Sequence, residues 1–208
     1  MIYKASHHPV IYPFFKLYAV WKIKRNFHLV SITGDFEEKH LPVLLISNHI
    51  SWWDGFWAMY LNLKLFKRKF YFMMLEEQLE KHMFFNKTGG YSVRKGSRSI
   101  VETLNYTAEL LDDKNNLVLI FPQGEIESIY HQAFRFEKGI EHVMEKVKGK
   151  VQILFVVNLI DYFSNQKPGL YIYFTEYSGS DFRSENLAKE FRIFHAYCLE
   201  QNLSKKES

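Results

Sequence analysis

The chain has 208 residues, a formal net charge of +4, 47% hydrophobic residues and 17% aromatic residues. This length fits one domain with ample apolar area for a core, which excludes the disordered and fibrous classes. The charge is modest for a nucleic-acid-binding protein, and the basic residues form no RNA-binding motif or recognition helix, so we predict no nucleic-acid partner. The single cysteine cannot form an internal disulfide, and no Cys or His spacing matches a zinc site, so we predict no metal.

The first predicted element is a helix within Val10 to Val30, with Pro13 near its first turn. Aromatic and basic residues are mixed along it: Tyr12, Phe14, Phe15, Tyr18 and Trp21 beside Lys16, Lys22, Lys24 and Arg25. This mixture is typical of an interfacial helix, although aromatic residues at helical spacing also pack into cores. Since no secretory signal and no apolar run of membrane-spanning length occurs, residues 1–30 are predicted to lie on a lipid surface. We expect a peripheral protein at the cytoplasmic face of a membrane.

Beyond this segment, apolar runs of strand length alternate with helical patterns. We predict strands at about 28–33, 42–47, 69–74, 117–121, 151–159 and 169–177, and helices at about 53–64, 97–112, 137–148 and 184–202. This alternation indicates an α/β fold, in which a single-domain mixed and largely parallel sheet is flanked by helices. The domain is predicted to cover residues 31–203, and residues 204–208 are predicted to form a loose tail.

A histidine and an aspartate follow the apolar run Pro42–Ile46. Because this run is typical of a buried strand, His49 lies where the strand ends, and Asp54 lies in the first turn of the next predicted helix. On one regular helix, the two side chains would point about 140° apart. If His49 belongs to the preceding turn instead, the chain folds back and the carboxylate reaches an imidazole nitrogen.

Such a pair activates a hydroxyl group, because a carboxylate on one ring nitrogen fixes the tautomer and makes the other nitrogen a better proton acceptor. The hydroxyl is expected to belong to a substrate. No serine lies in a Gly-x-Ser-x-Gly turn, and Cys198 has no motif around it. The structural alternative is that His49 caps the following helix and Asp54 favours the positive end of its dipole.

A second turn follows the strand predicted at about 117–121 and reads Pro122-Gln123-Gly124-Glu125. Gly124 lets the backbone approach a ligand closely, and the side chains of Gln123 and Glu125 are suited to binding hydroxyls or orienting donors. Pro-x-Gly is also ordinary turn chemistry. Taken alone, this segment predicts only a turn.

Four segments occur in order along the chain: Asn48-His49-x4-Asp54, Gly90-Tyr-Ser-Val-Arg94-Lys95, Phe121-Pro-Gln-Gly124 and Phe136-Glu-Lys-Gly139. Together they resemble the glycerolipid acyltransferase family, whose best-known members are 1-acyl-glycerol-3-phosphate acyltransferases. The resemblance runs from about Pro42 to about Ile160. It implies transfer of a fatty acyl group from acyl-CoA or an acyl-carrier protein to a hydroxyl of a lysophospholipid or related lipid, without a bound cofactor.

The resemblance also implies the roles of single residues. His49 would be the general base, and Asp54 would orient it. The basic position that contacts the acceptor phosphate falls on Arg94 or Lys95, which sequence alone does not separate. The full set of predicted substrate-binding residues is Asn48, Arg94, Lys95, Gln123, Gly124 and Glu125.

This chain departs from the family pattern in the third segment. The commonest version reads Phe-Pro-Glu-Gly-Thr-Arg-Ser, whereas here the glutamate is Gln123 and the arginine is Ile126. Isoleucine offers phosphate none of the paired hydrogen bonds of a guanidinium. Glu125 and Glu127 restore a carboxylate nearby but add negative charge where a phosphate would bind, so an acceptor other than a glycerol phosphate is allowed. Two rival functions stay open: a lipid-binding protein that has lost turnover, and a thioesterase or lipid hydrolase.

Overall fold

Seven short segments rich in β-branched, leucine and aromatic residues form one sheet in the computed structural model, which describes residues 2–205. The strands are β1 Leu29–Thr33, β2 Val43–Ser47, β3 Lys69–Leu75, β4 Gly90–Val93, β5 Asn116–Ile120, β6 Gln152–Asp161 and β7 Gly169–Glu176. Their order across the sheet is β1-β7-β6-β2-β5-β3-β4. Neighbouring strands are parallel except β6 and β7, which form an antiparallel pair.

The helices are α1 Ile11–Asn26, α2 Asp54–Leu61, α3 Glu76–Lys81, α4 Ser99–Leu110, α5 Gly139–Lys146 and α6 Ser184–Leu203. Apolar residues of α1 and α2 cover one face of the sheet, and those of α4, α5 and α6 cover the other. All five residues of β2 are buried, as expected for a central strand that packs helices on both faces. Alternate residues Val43 and Leu45 face the first layer, and Leu44 and Ile46 face the second.

The predicted fold class is confirmed, because the sheet is single, mixed and largely parallel. The sequence did not predict α3 or β4. Each is short, and α3 begins with two glutamates while β4 begins with a glycine, so neither shows a clear apolar period. The helix predicted at about 53–64 is an α-helix only as far as Leu61. It continues as a π-helical turn over Asn62–Phe66. Lys67 ends it with a left-handed φ of 54°.

Helix α1 is integrated into the fold. Phe15, Ala19 and Ile23 are buried against α2 and the sheet. The segment before α1 runs along the free edge at β4, where Ser92 N–H donates to Tyr3 O at 3.0 Å. The division into residues 1–30 and 31–203 stays a prediction. Of the predicted tail, Ser204 and Lys205 are described, while residues 206–208, like Met1, lie outside the described residues.

Candidate active site

The carboxyl ends of β2 and β5 lie side by side at the centre of the sheet, with Ile46 paired to Ile120. The two sequence motifs directly follow these strand ends. The chain leaves β2 through α2 on one face of the sheet, and it leaves β5 for α5 on the other face. In open α/β sheets, ligands bind outside the carboxyl ends of strands where successive connections diverge in this way. The fold therefore places both motifs at one candidate site.

Asp54 holds the turn between β2 and α2 through one carboxylate oxygen. Its Oδ2 accepts hydrogen bonds from His49 Nδ1 at 2.9 Å, from Ile50 N–H at 2.7 Å and from Ser51 N–H at 2.9 Å. The chain thus folds back in front of the helix, and the predicted contact between imidazole and carboxylate is present. Because an ionised carboxylate only accepts, Nδ1 carries the proton and Nε2 is left to take another.

The two side chains differ in their access to solvent. The Asp54 side chain is fully buried, whereas 21% of the His49 side chain is exposed. Burial raises the pKa of Asp54, while the hydrogen bonds from His49 and from the Ser51 and Ile50 N–H groups oppose that rise. The imidazole is therefore oriented by a desolvated acceptor and still has an open side toward a substrate.

Three residues that follow β5 also hold His49. The Phe121 ring stacks on the imidazole, with ring centroids 4.0 Å apart and planes 9° from parallel. Gln123 Oε1 accepts the His49 N–H at 2.8 Å. Glu127 N–H donates to His49 O at 2.8 Å, and Gln123 Nε2 donates to the Glu127 carboxylate. The second motif thus supports the histidine of the first.

The structure separates the two candidate basic residues after β4. The Arg94 guanidinium forms an ion pair with Glu76, whose side chain is 8% exposed. The Lys95 Nζ lies over Gly124, 2.8 Å from the point that a Cβ on this glycine would occupy. Gly124 also has a φ of 73°, which other residues rarely adopt. Lys95 is therefore the cation beside the second motif, and Gly124 makes room for it.

Asn48 lies behind the site. Its side chain is fully buried, with Nδ2 donating to Asn158 O at 3.0 Å and Oδ1 accepting Asn158 N–H at 2.9 Å. Asn158 Nδ2 in turn donates to Ser47 Oγ at 3.1 Å. These bonds tie the end of β2 to β6. The predicted contact of Asn48 with a substrate has no support in this geometry, because both amide groups already have partners.

Beyond Gly124, the turn opens to solvent. Glu125 and Ile126 are exposed, and half of the Ile126 surface is accessible. The position of the family's usual arginine therefore presents an apolar side chain at the edge of the site. Sequence reasoning missed the stacking of Phe121 on His49, although the residue stands within the second motif. Only the pairing of β2 with β5 brings these two rings together.

Comparisons with known proteins identify the family and the fold. A family model described as Acyltransferase matches residues 29–157, which include β1, both motifs and most of β6. The chain belongs to the acyltransferase family. Its fold is similar to the crystal structure of the 1-acyl-sn-glycerophosphate (LPA) acyltransferase PlsC from Thermotoga maritima, with a TM-score of 0.61 and 15% sequence identity. That similarity covers 93% of this chain and 80% of the other. No curated protein sequence matches.

Membership of this family supports acyl transfer as the activity of the protein. The similarity to PlsC extends over nearly the whole chain and supports the fold. Within residues 2–205, no helix is both long and apolar enough to cross a membrane.

Proposed function

We propose that this acyltransferase moves a fatty acyl group from an acyl thioester to a lipid hydroxyl, with His49 as the general base and Asp54 as the residue that orients it. The observation that carries this proposal is the 2.9 Å hydrogen bond from His49 Nδ1 to the buried Asp54 carboxylate, beyond the carboxyl end of the central strand β2. Nε2 takes the proton of the acceptor hydroxyl while that oxygen attacks the thioester carbonyl. The tetrahedral intermediate then expels the thiolate, which takes the proton from the imidazolium.

The acyl donor is proposed to be acyl-CoA or an acyl-carrier protein, which acts as co-substrate, so that no resident cofactor is needed. Direct transfer needs no acyl-enzyme, since the lipid supplies the nucleophile. Cys198 is fully buried in α6, and burial raises the pKa of its thiol to about 12, which suppresses the reactive thiolate. This burial supports a substrate hydroxyl as the nucleophile.

The acceptor is proposed to be a lysophospholipid or another lipid that carries a hydroxyl. Lys95 is the residue best placed to meet a phosphate, because Arg94 is paired with Glu76. Replacing Lys95 with alanine is expected to raise KM for a phosphate-bearing substrate by about 10-fold, from the loss of a charged hydrogen bond. The matched change at Arg94 is expected to have a smaller effect. Equal effects of the two changes on KM would contradict this assignment.

The transfer itself is tested by mass spectrometry of the products. Purified wild-type protein and His49→Ala receive acyl-CoA or acyl-carrier-protein donors with a panel of lysolipids and neutral hydroxylated lipids. A new ester made only by the wild type supports the proposal and identifies the acceptor. Free fatty acid released at a rate independent of acceptor would favour the hydrolase, and no His49-dependent product with any donor would favour a binding protein.

We also propose that α1 rests on a lipid surface. Four exposed apolar residues recur at helical spacing and form the α1 stripe: Val10, which directly precedes the helix, and Phe14, Leu17 and Trp21 within it. Trp21 lies under the Arg25 guanidinium, 5.2 Å from the ring centroid. Exposed aromatic and aliphatic residues beside basic residues are typical of interfacial helices. Because the buried face of α1 packs on α2, the stripe is the free face of the helix.

Aromatic side chains connect the α1 stripe to the candidate site. Tyr18 contacts Trp21 at 5.8 Å between ring centroids and Phe56 at 6.1 Å. Phe56 contacts Trp53 at 5.0 Å, and Trp53 directly precedes Asp54. A lipid surface that touches the stripe would therefore lie close to the site entrance, which suits an insoluble acceptor.

Vesicle flotation tests the lipid surface. Leu17→Gln with Trp21→Gln is expected to reduce binding to vesicles that contain anionic lipid by about 10-fold or more, from two lost apolar side chains. The matched control is Ile193→Gln with Tyr197→Gln, because those residues of α6 are also at least half exposed and lie outside the stripe. Wild-type binding by the α1 variant, or equal losses in both variants, would refute this orientation.

A further inference from the structure

Gln123 and Glu127 close a ring of hydrogen bonds around the main chain of His49. The His49 N–H donates to Gln123 Oε1 at 2.8 Å, and Gln123 Nε2 donates to the Glu127 carboxylate. The ring closes where Glu127 N–H donates to His49 O at 2.8 Å. We call this ring the His49 clamp. Through Gln123 and Glu127, the clamp binds both the main-chain N–H and the main-chain carbonyl of His49.

With a glutamate at position 127, the clamp requires an amide at position 123. A main-chain N–H only donates and an ionised carboxylate only accepts, so the residue between them must do both. An amide side chain meets this need, with its oxygen toward His49 and its nitrogen toward Glu127. A glutamate at 123 would place two carboxylates at hydrogen-bonding distance. Gln123 and Glu127 are therefore chemically matched.

We propose that Gln123 and Glu127 are positioning residues of the acyl-transfer reaction, which set the place of the His49 imidazole through its main chain. This inference rests on the proposed function of His49. Asp54 fixes the rotation of the ring and Phe121 supports its face, while the clamp fixes the Cα from which the ring extends. A shift of about 1 Å in a reacting group is enough to cost on the order of 100-fold in rate.

The surroundings of the clamp favour a persistent bond network. Gln123 is 8% exposed and the Glu127 side chain is 23% exposed, so water competes little for these groups. Charged and titratable groups near the clamp include His49, Asp54, Lys95, His131 and Glu137, and Glu125 lies between its two members in the sequence. His131 Nε2 lies 3.6 Å from Glu127 Oε1, and Glu137 N–H donates to Pro122 O at 2.8 Å.

A charge exchange tests the clamp. Gln123→Glu is expected to lower kcat by about 10- to 100-fold with a smaller change in KM, because two facing carboxylates open the ring. The double variant Gln123→Glu with Glu127→Gln is expected to return kcat to within about 3-fold of wild type, since the carboxylate at position 123 then accepts hydrogen bonds from both the His49 N–H and the amide at position 127. Glu145→Gln, an exposed site on α5, is the matched control.

The pH profile gives a second signature. Two adjacent carboxylates share a proton, so one of them has a raised pKa in Gln123→Glu. Below that pKa, the protonated carboxyl again donates to its neighbour and the ring closes. The ratio of the kcat of Gln123→Glu to the kcat of wild type is therefore expected to rise as the pH falls. This rise is expected to be absent in the double variant.

Thermal unfolding separates the clamp from the proposed function. A lower Tm in Gln123→Glu that is restored in the double variant supports the clamp, whether or not the wild type transfers an acyl group. If the wild type transfers none, the proposed function and the catalytic use of the clamp fail, but the clamp itself stands. A double variant that is no more stable than Gln123→Glu would overturn the clamp. Restored Tm without restored kcat, in an active wild type, would overturn the positioning role.

Discussion

His49 and His195 each contact a phenylalanine ring, but only His49 lies in the candidate site. His195 on α6 is 2% exposed and contacts Phe134 edge-on, with ring centroids 4.6 Å apart. Within residues 2–205, its ring has no hydrogen-bond partner, and burial lowers its pKa to about 4. His49 stacks on Phe121 but also bonds to Asp54 and keeps 21% of its side chain exposed.

The difference shows what makes a histidine useful as a base. Burial alone keeps an imidazole neutral and closes it to a substrate. A carboxylate partner fixes which nitrogen is protonated, and partial exposure leaves the other nitrogen accessible. At His49, the strand ends of β2 and β5 supply both conditions, whereas α6 supplies neither at His195.

Removing the carboxylate should have the largest effect. Asp54→Asn is expected to lower kcat by about 10²- to 10⁴-fold, because the amide no longer fixes the productive tautomer of His49. The Tm is expected to stay the same or rise. Since the folded state raises the pKa of Asp54, it disfavours the charged form, and the amide removes that cost.

Asp35→Asn, an exposed site, is the control for this substitution, and kcat and Tm are measured together. The structural alternative, in which Asp54 only favours the start of α2, makes the opposite prediction. It requires a clear fall in Tm with kcat unchanged.

Removing the stacked ring should have an intermediate effect. Phe121→Leu is expected to lower kcat by about 2- to 12-fold, the equivalent of about 0.5–1.5 kcal/mol for an aromatic pair. Phe121→Tyr keeps the ring face and is expected to retain wild-type kcat. Steady-state kinetics of the three proteins checks this, and equal losses in both variants would show that the stacking does not matter.

Removing the buried histidine should have the smallest effect on activity. His195→Leu is expected to keep kcat within about 2-fold, since His195 has no partner group to act through. Its effect should appear in stability. A His whose pKa falls from 6.5 to about 4 on folding contributes stability that is full above pH 6.5 and is lost as the pH falls toward 4.

Between pH 6.5 and pH 4, the titration of His195 lowers the free energy of unfolding of the wild type by up to roughly 3 kcal/mol. His195→Leu is expected to reduce the slope of stability against pH without abolishing it, because His7 also has a pKa lowered to about 4 by burial. Chemical unfolding at pH 7, 6 and 5 measures the slope. An unchanged slope would show that His195 does not titrate in this way.

The sequence predicted those features that depend on near neighbours. The apolar run of β2 was placed to within one residue, and the contact of His49 with Asp54 followed from a five-residue turn. Short elements without an apolar period, β4 and α3, were missed. The bonds from Gln123 and Glu127 to His49 depend on the pairing of β2 with β5 and were beyond sequence reasoning.

The same limit applies to the basic residues. Arg94 and Lys95 are adjacent and equally charged, so only the positions of Glu76 and Gly124 in space tell them apart. Asn48 shows the converse, because its place in the motif suggested substrate binding while its bonds to Asn158 point to support of the strand ends.

The central claim, that His49 and Asp54 act as one unit, is tested most directly by a double-mutant cycle in kcat. It compares the wild type, His49→Ala, Asp54→Asn and the double variant in the ester-forming assay. We predict that Asp54→Asn costs about 10²- to 10⁴-fold in the wild type but less than about 3-fold once His49 is alanine. An equal cost of Asp54→Asn in both backgrounds would contradict the claim, because the carboxylate would then act independently of the imidazole.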